Sequence, residues 1–279
     1  AYGLSVSDFR LGLLWRRCGM KRKQRIMATL DFLLMIVIGL IMVFPLFWMA
    51  RSSLMTQSEI FRKPMQWLPK VIQWENYVDI MTMRPFARWM CNSAFIVVFN
   101  VIGTMLTSSM AAFAFARLNF RGKNVVFALV MAAMMIPSAT LLIPQFMIWK
   151  ALKGIDTYAP LILGAFGAPG FYTFMLRQFY RGIPMDMDEA ARIDGATPLD
   201  IYVKIIVPLS KAPLVTVAIF TFTSCWNDFM GPLIYLSSEA KYTAALGLRS
   251  FIGMYTGQWH YLMAASTVLV IPVIILFAF

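Results

Sequence analysis

The densest group of residues that could do chemistry lies in the segment 183–209, where three acids, Asp186, Asp188 and Glu189, are close together. Carboxylates can transfer protons, ligate metal ions or pair with a basic partner. Zinc and acid–base sites often add histidine or cysteine. His260 is the only histidine, and the three cysteines have no metal-ligand spacing. We therefore predict no metal site, no disulfide framework and no histidine-based catalytic arrangement.

The local sequence indicates that the acids of 183–209 could instead stabilise the start of a helix. They suit the first turn of a short helix, where free backbone N–H groups favour negative charge, and Gly195 suits its left-handed C-terminal position. A second helix can begin at once, with Thr197 as N-cap, Pro198 in the first position and Asp200 in the third. The segment predicts a compact helix-turn-helix, although an ordinary solvated loop with two capped turns would show the same pattern.

The composition places this segment in a membrane protein. Of the 279 residues, 60% are hydrophobic and only 14% charged, whereas soluble domains have about 45–50% apolar residues. Crossing ~30 Å of hydrocarbon takes about 20 helical residues. Six stretches qualify, at 28–50, 91–116, 125–149, 158–180, 212–235 and 261–279. Because they are continuously apolar rather than alternating, they predict an all-α membrane protein with one transmembrane domain, 28–279, and not a β-barrel.

The net charge of +12 predicts the orientation of these spans. With the N-terminus in the cytoplasm, most of the 25 Lys and Arg residues fall on the inner side, as the positive-inside rule expects. We therefore expect both termini and 183–209 to be cytoplasmic, the lipid bilayer to be the partner of the spans, and no nucleic acid to bind. The basic and apolar segment 1–27 predicts a cytoplasmic interfacial helix or, alternatively, a disordered basic arm.

One string in the inner loop resembles a known motif. Glu189-Ala190-Ala191, then Gly195, then Ile205-x-Val207-Pro208 is similar to the EAA loop of permease subunits of ABC importers, with Val207 where Leu is usual. The resemblance extends along the chain to the smaller, six-span permease subunit of carbohydrate importers of the maltose and alginate type. The segments that carry it are Ser58-Glu59-Ile60-Phe61, Asn76-Tyr77, Asn92-Ser93, Phe120-Arg121-Gly122-Lys123, Ile136-Pro137, Ile143-Pro144, Asp156-Thr157-Tyr158, Trp226-Asn227-Asp228 and Ile271-Pro272.

This resemblance implies a multi-pass permease of a bacterial inner membrane. Its partners would be a second homologous permease, two cytoplasmic ATPase subunits, a periplasmic substrate-binding protein and an oligosaccharide. In the family the EAA loop docks on the ATPase, and the coupling residues would be Glu189, Ala190, Ala191, Asp194, Gly195, Ile205 and Pro208. The chain has no Walker A string, so we expect a non-catalytic subunit without a cofactor of its own, with ATP and Mg bound by the partner ATPase.

Polar residues in the spans predict the substrate pathway. Thr221, Ser224 and Asp228 recur at intervals of three and four, and Asn227 lies beside them. They suit a hydrophilic wall for a sugar, although any one hydroxyl could instead bond to a neighbouring helix. In span four, Tyr172 and Thr173 could stack on a carbohydrate ring and bond to it.

Helix-breaking residues predict a gating hinge. Gly167, Pro169 and Gly170 interrupt the fourth span, which predicts a kink or partial unwinding near mid-membrane, and Pro137 gives the third span a similar character. Backbone of this kind is tolerated where it lines a cavity, although close packing of small residues would select the same amino acids.

Two questions about substrate and class stay open in the sequence. The outer segments have more basic than acidic residues, which predicts an acidic oligosaccharide, such as an alginate-like one, or an acidic partner. The first alternative to an ATP-driven permease is a secondary transporter or channel that uses Asp228 as an ion or proton site. The second is an intramembrane enzyme, which the absence of paired acids and of histidine in the spans disfavours.

Overall fold

The computed structural model describes residues 22–253 and 257–278, and the side chains from residue 27 onward. Within these ranges the protein is helical, and its one β pairing is an isolated bridge between Ile252 and Gly257. The all-α prediction is confirmed. Most of the predicted interfacial segment 1–27 lies outside the described residues.

The helices vary widely in length. In chain order they are α1 (Arg22–Ser53), α2 (Gln57–Ile60), α3 (Glu75–Met83), α4 (Phe86–Arg117), α5 (Lys123–Met134), α6 (Ser138–Ala151), α7 (Ala159–Ile162), α8 (Gly170–Gly182), α9 (Asp186–Ile193), α10 (Pro198–Ile201), α11 (Val207–Leu209), α12 (Lys211–Trp226), α13 (Met230–Tyr235), α14 (Ala244–Gly247) and α15 (Trp259–Ala278). Short 3₁₀ helices occupy Leu163–Gly167, Glu239–Lys241 and Leu248–Phe251, and a π-helical turn occupies Tyr202–Ile206.

Four stretches of helix in the described ranges are long and apolar enough to cross a membrane, and up to six if each of two bent pairs counts as one span. The four stretches are Met27–Ser53, α4, Ala159–Gly182 and α15. The pair α5 and α6 is bent by 100°, and Pro198–Leu209 with α12 by 78°. The prediction of six membrane segments therefore holds only if the bent pairs span.

Three of the predicted spans, the third, fourth and fifth, are not single helices, and the fourth is described with the site below. The third, 125–149, breaks after Met134, because Pro137 has no backbone donor and stands at the N-cap of α6. The fifth, 212–235, ends as a helix at Trp226 and starts again at Met230. In this gap the Asn227 side chain donates to the Thr223 carbonyl (2.8 Å). Side chains that bond to nearby backbone compete with a continuous helix.

Two apolar cores hold the bundle together, and α4 contributes to both. The first, called here the Trp core, contains Phe86, Trp89, Trp226 and Phe251. The second, called the Tyr core, consists of Ala112, Phe113, Leu176, Tyr180, Ile201, Tyr202, Ile206, Leu214 and Val217. The Tyr core joins α4, α8 and α12 to residues of the loop 183–209, so that this loop is built into the fold.

The segment 237–251 is fastened to the start of α4 at the opposite end from 183–209. Trp89 Nε1 donates to the Glu239 carbonyl (2.8 Å), and Ser93 Oγ accepts from the Ala244 amide (2.8 Å). Asp156 Oδ1 accepts from the amides of Ser237 and Ser238 (both 3.0 Å). The bonds to Ser238 in particular stabilise the carboxylate, so that the pKa of Asp156 lies well below its usual range.

The fit of Gly247 against Trp89 gives a test of this packing. A Cβ at Gly247 would overlap the Trp89 ring, so we expect Gly247→Ala to lower the free energy of unfolding by about 1–3 kcal/mol through overpacking. Gly39→Ala is the matched control, because nothing lies within 4 Å of its added Cβ and alanine favours a helix interior. Thermal unfolding midpoints in detergent micelles measure both effects. A midpoint for Gly247→Ala at or above that of Gly39→Ala would contradict the packing.

Candidate functional site

The segment 183–209 begins with a short amphipathic helix, α9. The three predicted acids lie in its first turn. Its C-terminus closes at Gly195, whose φ of 84° is in the left-handed region. The Gly195 amide donates to the Arg192 carbonyl (3.0 Å), and the Ala196 amide donates to the Ala191 carbonyl (2.9 Å). These two bonds form a complete Schellman motif, which explains why glycine stands at this position.

The second half of the loop is a helix that starts at its predicted N-cap and then changes from α-helical to π-helical geometry. Thr197 and Asp200 form a capping box, with Pro198 in the first turn. The following turn is π-helical, and the Val207 amide donates to the carbonyl of Tyr202, five residues back. Pro208 has no amide to donate, which favours a departure from the α-helical ladder here. The chain then bends by 78° into α12.

An ion pair buried within the fold connects α9 to the end of α4. Arg117 Nε lies 3.7 Å from Asp188 Oδ2, and each side chain is only 1% exposed. Arg117 also donates to the Ile183 carbonyl (2.8 Å) and to the sulfur of Met185. Neither carboxylate oxygen of Asp188 has a hydrogen-bond partner among the described residues. Within the described chain the counter-charge of Asp188 is Arg117, and their pairing fixes the first turn of α9 to α4.

The residue after Asp188 points the other way. Glu189 and Ala190 are exposed, as are Asp194 and Pro208. Two apolar side chains beside them are also exposed, Ile193 by 87% and Leu199 by 65%. We call the side of α9 that carries Asp186, Glu189, Ala190 and Ile193 the docking face. It combines two carboxylates with the exposed aliphatic side chain of Ile193, and exposed apolar groups beside polar ones are typical of contact surfaces.

Ala191 and Ile205 face inward, so the predicted coupling residues do not form one surface. Both are partly buried against the Tyr core. In that core the hydroxyls of Tyr180 and Tyr202 both bond to Ser109 Oγ on α4, at 2.7 and 2.9 Å. The structure thus divides the predicted coupling set into an exposed group and a group that packs on the spans.

The fourth span is broken where the sequence predicted. After the 3₁₀ helix Leu163–Gly167, Ala168 adopts a left-handed φ of 51°, and α8 begins beyond Pro169. Two α4 side chains satisfy backbone groups released by this break. Asn100 Nδ2 donates to the Leu161 carbonyl (2.9 Å), and Thr107 Oγ1 bonds to both the Ala165 carbonyl (3.1 Å) and the Ala168 amide (3.2 Å).

The predicted hinge glycines have different surroundings. A Cβ on Gly170 would lie 2.7 Å from Met134 Cγ, whereas one on Gly167 would meet nothing within 4 Å. Gly170 is therefore a close approach between α8 and α5. Pro137 is exposed at the break between α5 and α6.

The predicted pathway residues do not gather into one polar stripe. Thr221 is buried, and its hydroxyl has no partner among the described residues. Ser224 and Asn227 are exposed. Asp228 is not on α12, because the helix has already ended, and its Oδ1 accepts from the Gly231 amide (3.1 Å) at the start of α13. The interpretation of Asp228 as a residue of a continuous fifth helix is therefore wrong.

The two predicted pathway residues of span four also serve local structure. Thr173 is 1% exposed, and its hydroxyl donates to the Ala168 carbonyl (3.2 Å). Tyr172 packs beside Phe171 and against the Tyr core, and is partly exposed. Of this pair, only Tyr172 presents surface to the outside of the chain.

The roles of four residues on which these arrangements depend are not apparent from the sequence, namely those of Asn100, Thr107, Arg117 and Asp188. Asn100 and Thr107 read as ordinary polar residues of an apolar span. Arg117 reads as a topogenic charge, and Asp188 as one of three equivalent acids. The available signal was the position of Arg117 at the end of a long span. Among the described residues, no group of three or more His, Cys, Asp or Glu could hold a metal ion.

The ion pair predicts a specific loss of stability. Asp188→Ala leaves Arg117 buried without a counter-charge, so we expect it to reduce the free energy of unfolding by about 3–5 kcal/mol. Asp186→Ala is the control, because it removes an exposed acid from the same turn, and it should cost about 0.5 kcal/mol or less. Thermal unfolding of both variants in lipid nanodiscs measures the difference. Equal midpoints would show that the pair does not hold α9.

The comparison with protein families gives one match over most of the chain. A family model described as "Binding-protein-dependent transport system inner membrane component" matches residues 103–279. This range contains the loop 183–209 and the helices from the middle of α4 to α15.

Curated relatives are similar over nearly the whole length. The arabinooligosaccharides transport system permease protein AraQ of Bacillus subtilis is 33% identical over 91% of this chain and 90% of its own. The sulfoquinovosyl glycerol transport system permease protein SmoH of Agrobacterium fabrum is 33% identical over 84% and 82%. The sn-glycerol-3-phosphate transport system permease protein UgpE of Salmonella typhimurium is 32% identical over 87% and 89%.

The solved structures agree on the fold. A bacterial ABC transporter involved in the import of the acidic polysaccharide alginate contains a chain that superposes with a TM-score of 0.83 at 22% identity, over 93% of this chain and 96% of that one. The resemblance to importer permeases that the EAA-like string predicted is confirmed. The protein belongs to the family of binding-protein-dependent transport system inner membrane components.

Proposed function

We propose that this chain is the permease subunit of an ABC importer for an oligosaccharide, and that the docking face receives the motion of a cytoplasmic ATPase. The observation that carries the proposal is the division of α9 into two faces. Glu189 is exposed beside Ile193, whereas the neighbouring Asp188 is buried on Arg117. A partner with a basic group and an apolar cleft would fit the outer face, and the inner face would pass its displacement to α4.

Two connections would carry that displacement into the membrane. The first is the Arg117–Asp188 pair, which ties the start of α9 to α4. The second is the stretch from Thr197 to Pro208, whose π-helical turn contributes Tyr202 and Ile206 to the Tyr core. A rigid-body shift of α9 would therefore act on α4 and α12 together, which suits a change between inward and outward access.

The proposed orientation rests on charge. Under the positive-inside rule the termini, Arg121, Lys123 and the docking face would lie in the cytoplasm. Hydrolysis then belongs to two partner ATPase subunits that bind ATP and Mg. A second permease would complete the pathway, and α6 would suit this contact, since it has no buried residue within the described chain.

The substrate is proposed to be an anionic carbohydrate. Two of the relatives above are named for transport of sulfonated or phosphorylated glycerol derivatives, and the superposed importer for an acidic polysaccharide. At the end of the bundle away from the docking face, Arg84 and Lys241 pair with acids. Other cations there have no ion pair within the described residues, and these include Arg62, Lys63, Lys70, Arg88, Lys150 and Lys153. A periplasmic binding protein would deliver the substrate to this end.

The alternative of an ion-driven transporter gains no support from the geometry of Asp228. Its carboxylate accepts the Gly231 amide and sits against Gly231, where an added Cβ would lie 2.5 Å from Oδ2. Asp228 is thus engaged in the turn between α12 and α13, where a capping carboxylate is expected.

Charge reversal at Glu189 tests the docking role. In the reconstituted transporter, Glu189→Lys should reduce ATP-driven uptake by about a hundredfold or more, because reversal of a close intersubunit charge pair costs several kcal/mol. Glu189→Asp is the control, because it keeps a carboxylate at the same position of α9, and it should retain most uptake. Equal loss in both variants would point to the shape of the side chain and not its charge, and normal uptake by Glu189→Lys would refute docking through this residue.

Substrate charge is tested by competition. In proteoliposomes with the matching binding protein, uronic-acid oligosaccharides should inhibit uptake of labelled substrate at concentrations at least about tenfold below those of neutral oligosaccharides of the same length. High salt should reduce this difference, because it screens exposed charges. Preference for the neutral sugar would refute the anionic substrate and leave the docking role unaffected.

A further inference from the structure

A basic cavity lies between the loop after α4, the start of α5 and the end of α8. Its volume is about 630 Å³, and its lining includes three cations, Lys123, Arg177 and Arg181, together with the amides of Asn119 and Asn124. No acidic side chain lines it. In the described part of the chain, none of the ion pairs involves these three cations.

Two of the three cations, Arg177 and Lys123, are held in place. Arg177 Nε donates to the Phe115 carbonyl (3.2 Å), and its guanidinium carbon lies 3.9 Å from the centre of the Phe127 ring. Lys123 Nζ donates to the Leu118 carbonyl (2.7 Å). These contacts fix the direction of both groups and leave further N–H donors of each for another acceptor.

Charge at a helix end does not explain this arrangement. Arg181 stands in the last turn of α8, where a cation interacts favourably with the helix dipole. Arg177 lies one turn earlier on the same side, and like charges with this spacing repel each other. Lys123 adds a third positive charge at the start of α5, where the dipole disfavours it. Because no acidic side chain lines the cavity, its three cations leave positive charge that an anion would neutralise.

The surroundings of the cavity indicate which anion. Its rim continues into exposed apolar side chains of the same elements, with Phe120 43%, Val125 65% and Leu129 64% exposed. A free phosphate ion would use the cations and leave these groups in water. A phospholipid would use both, because its headgroup is anionic and its acyl chains cover apolar helix surface. Basic pockets between membrane helices are known to bind anionic headgroups.

We propose that this cavity binds the phosphate of an anionic phospholipid, with Lys123, Arg177 and Arg181 as its ligands and Asn119 and Asn124 as further hydrogen-bond donors. The acyl chains would lie along α5. Arg117, at the end of α4, connects this region to α9, so a bound lipid would stabilise the elements next to the docking face. The inference needs only a membrane-embedded chain and is independent of the transported substrate.

The test uses the assembled transporter in detergent micelles with phosphatidylglycerol as the probe. Phosphatidylglycerol should raise the thermal unfolding midpoint and remain bound in native mass spectrometry, and phosphatidylcholine should do neither. The double variant Lys123→Gln/Arg181→Gln should bind at least about tenfold more weakly for each cation removed, since each loses a charge-assisted bond. Arg121→Gln is the matched control, because it removes an exposed cation of the same loop that does not line the cavity.

Each other outcome would overturn the proposal. Equal effects of phosphatidylcholine would show that the headgroup charge is not recognised. Inorganic phosphate that reproduces the full stabilisation, with no gain from phosphatidylglycerol, would identify a site for free anions. A lipid effect that is seen with the isolated permease pair and absent from the full assembly would identify a surface that an ATPase carboxylate occupies. Unchanged binding by the double variant would exclude these cations as ligands.

Discussion

A backbone that leaves helical geometry inside a bilayer must find partners for its released N–H and C=O groups, because hydrocarbon offers none. In this protein α4 supplies them. It stays continuous from Phe86 to Arg117, and Asn100 and Thr107 bond to the segment 161–168 of the broken fourth span. The continuous helix α4 therefore satisfies the backbone groups that the break in the fourth span releases. The side chains of the continuous helix α4 lower the energetic cost of the bent and partly unwound span beside it. Both apolar cores also contain residues of α4.

The loop 183–209 extends this scaffold beyond the spans. Its first helix is held by a buried ion pair, a kind of contact that adds little net stability but is costly to break. A contact of this type specifies position more than it strengthens the fold. α9 therefore cannot shift independently of α4 without leaving one of the two charges buried alone, while its other side, with Glu189 and Ile193, remains available to a partner.

Much of this could be predicted from the sequence where the cause is local. The left-handed Gly195, the cap at Thr197 and the break before Gly170 follow from neighbouring residues, and the structure has all three. The prediction of one continuous helix over 212–235 was wrong. Its apolar composition does not show that the side chains of Asn227 and Asp228 bond to the backbone where the helix ends. The partners of Arg117 and Asn100 could not be predicted. Asp188 lies 71 residues after Arg117, and Leu161 lies 61 residues after Asn100. A single sequence does not show which residues so far apart along the chain come into contact.

The third span has a consequence for how the protein is made. Neither α5 nor α6 has a buried residue within the described chain. α5 packs on α8 through Phe127 and Met134, whereas α6, beyond the 100° bend, keeps most of its side chains exposed. Quality control of the subunit therefore concerns assembly as well as folding. An orphan copy would present α6 to membrane proteases, and a subunit that packs on α6 would hide it.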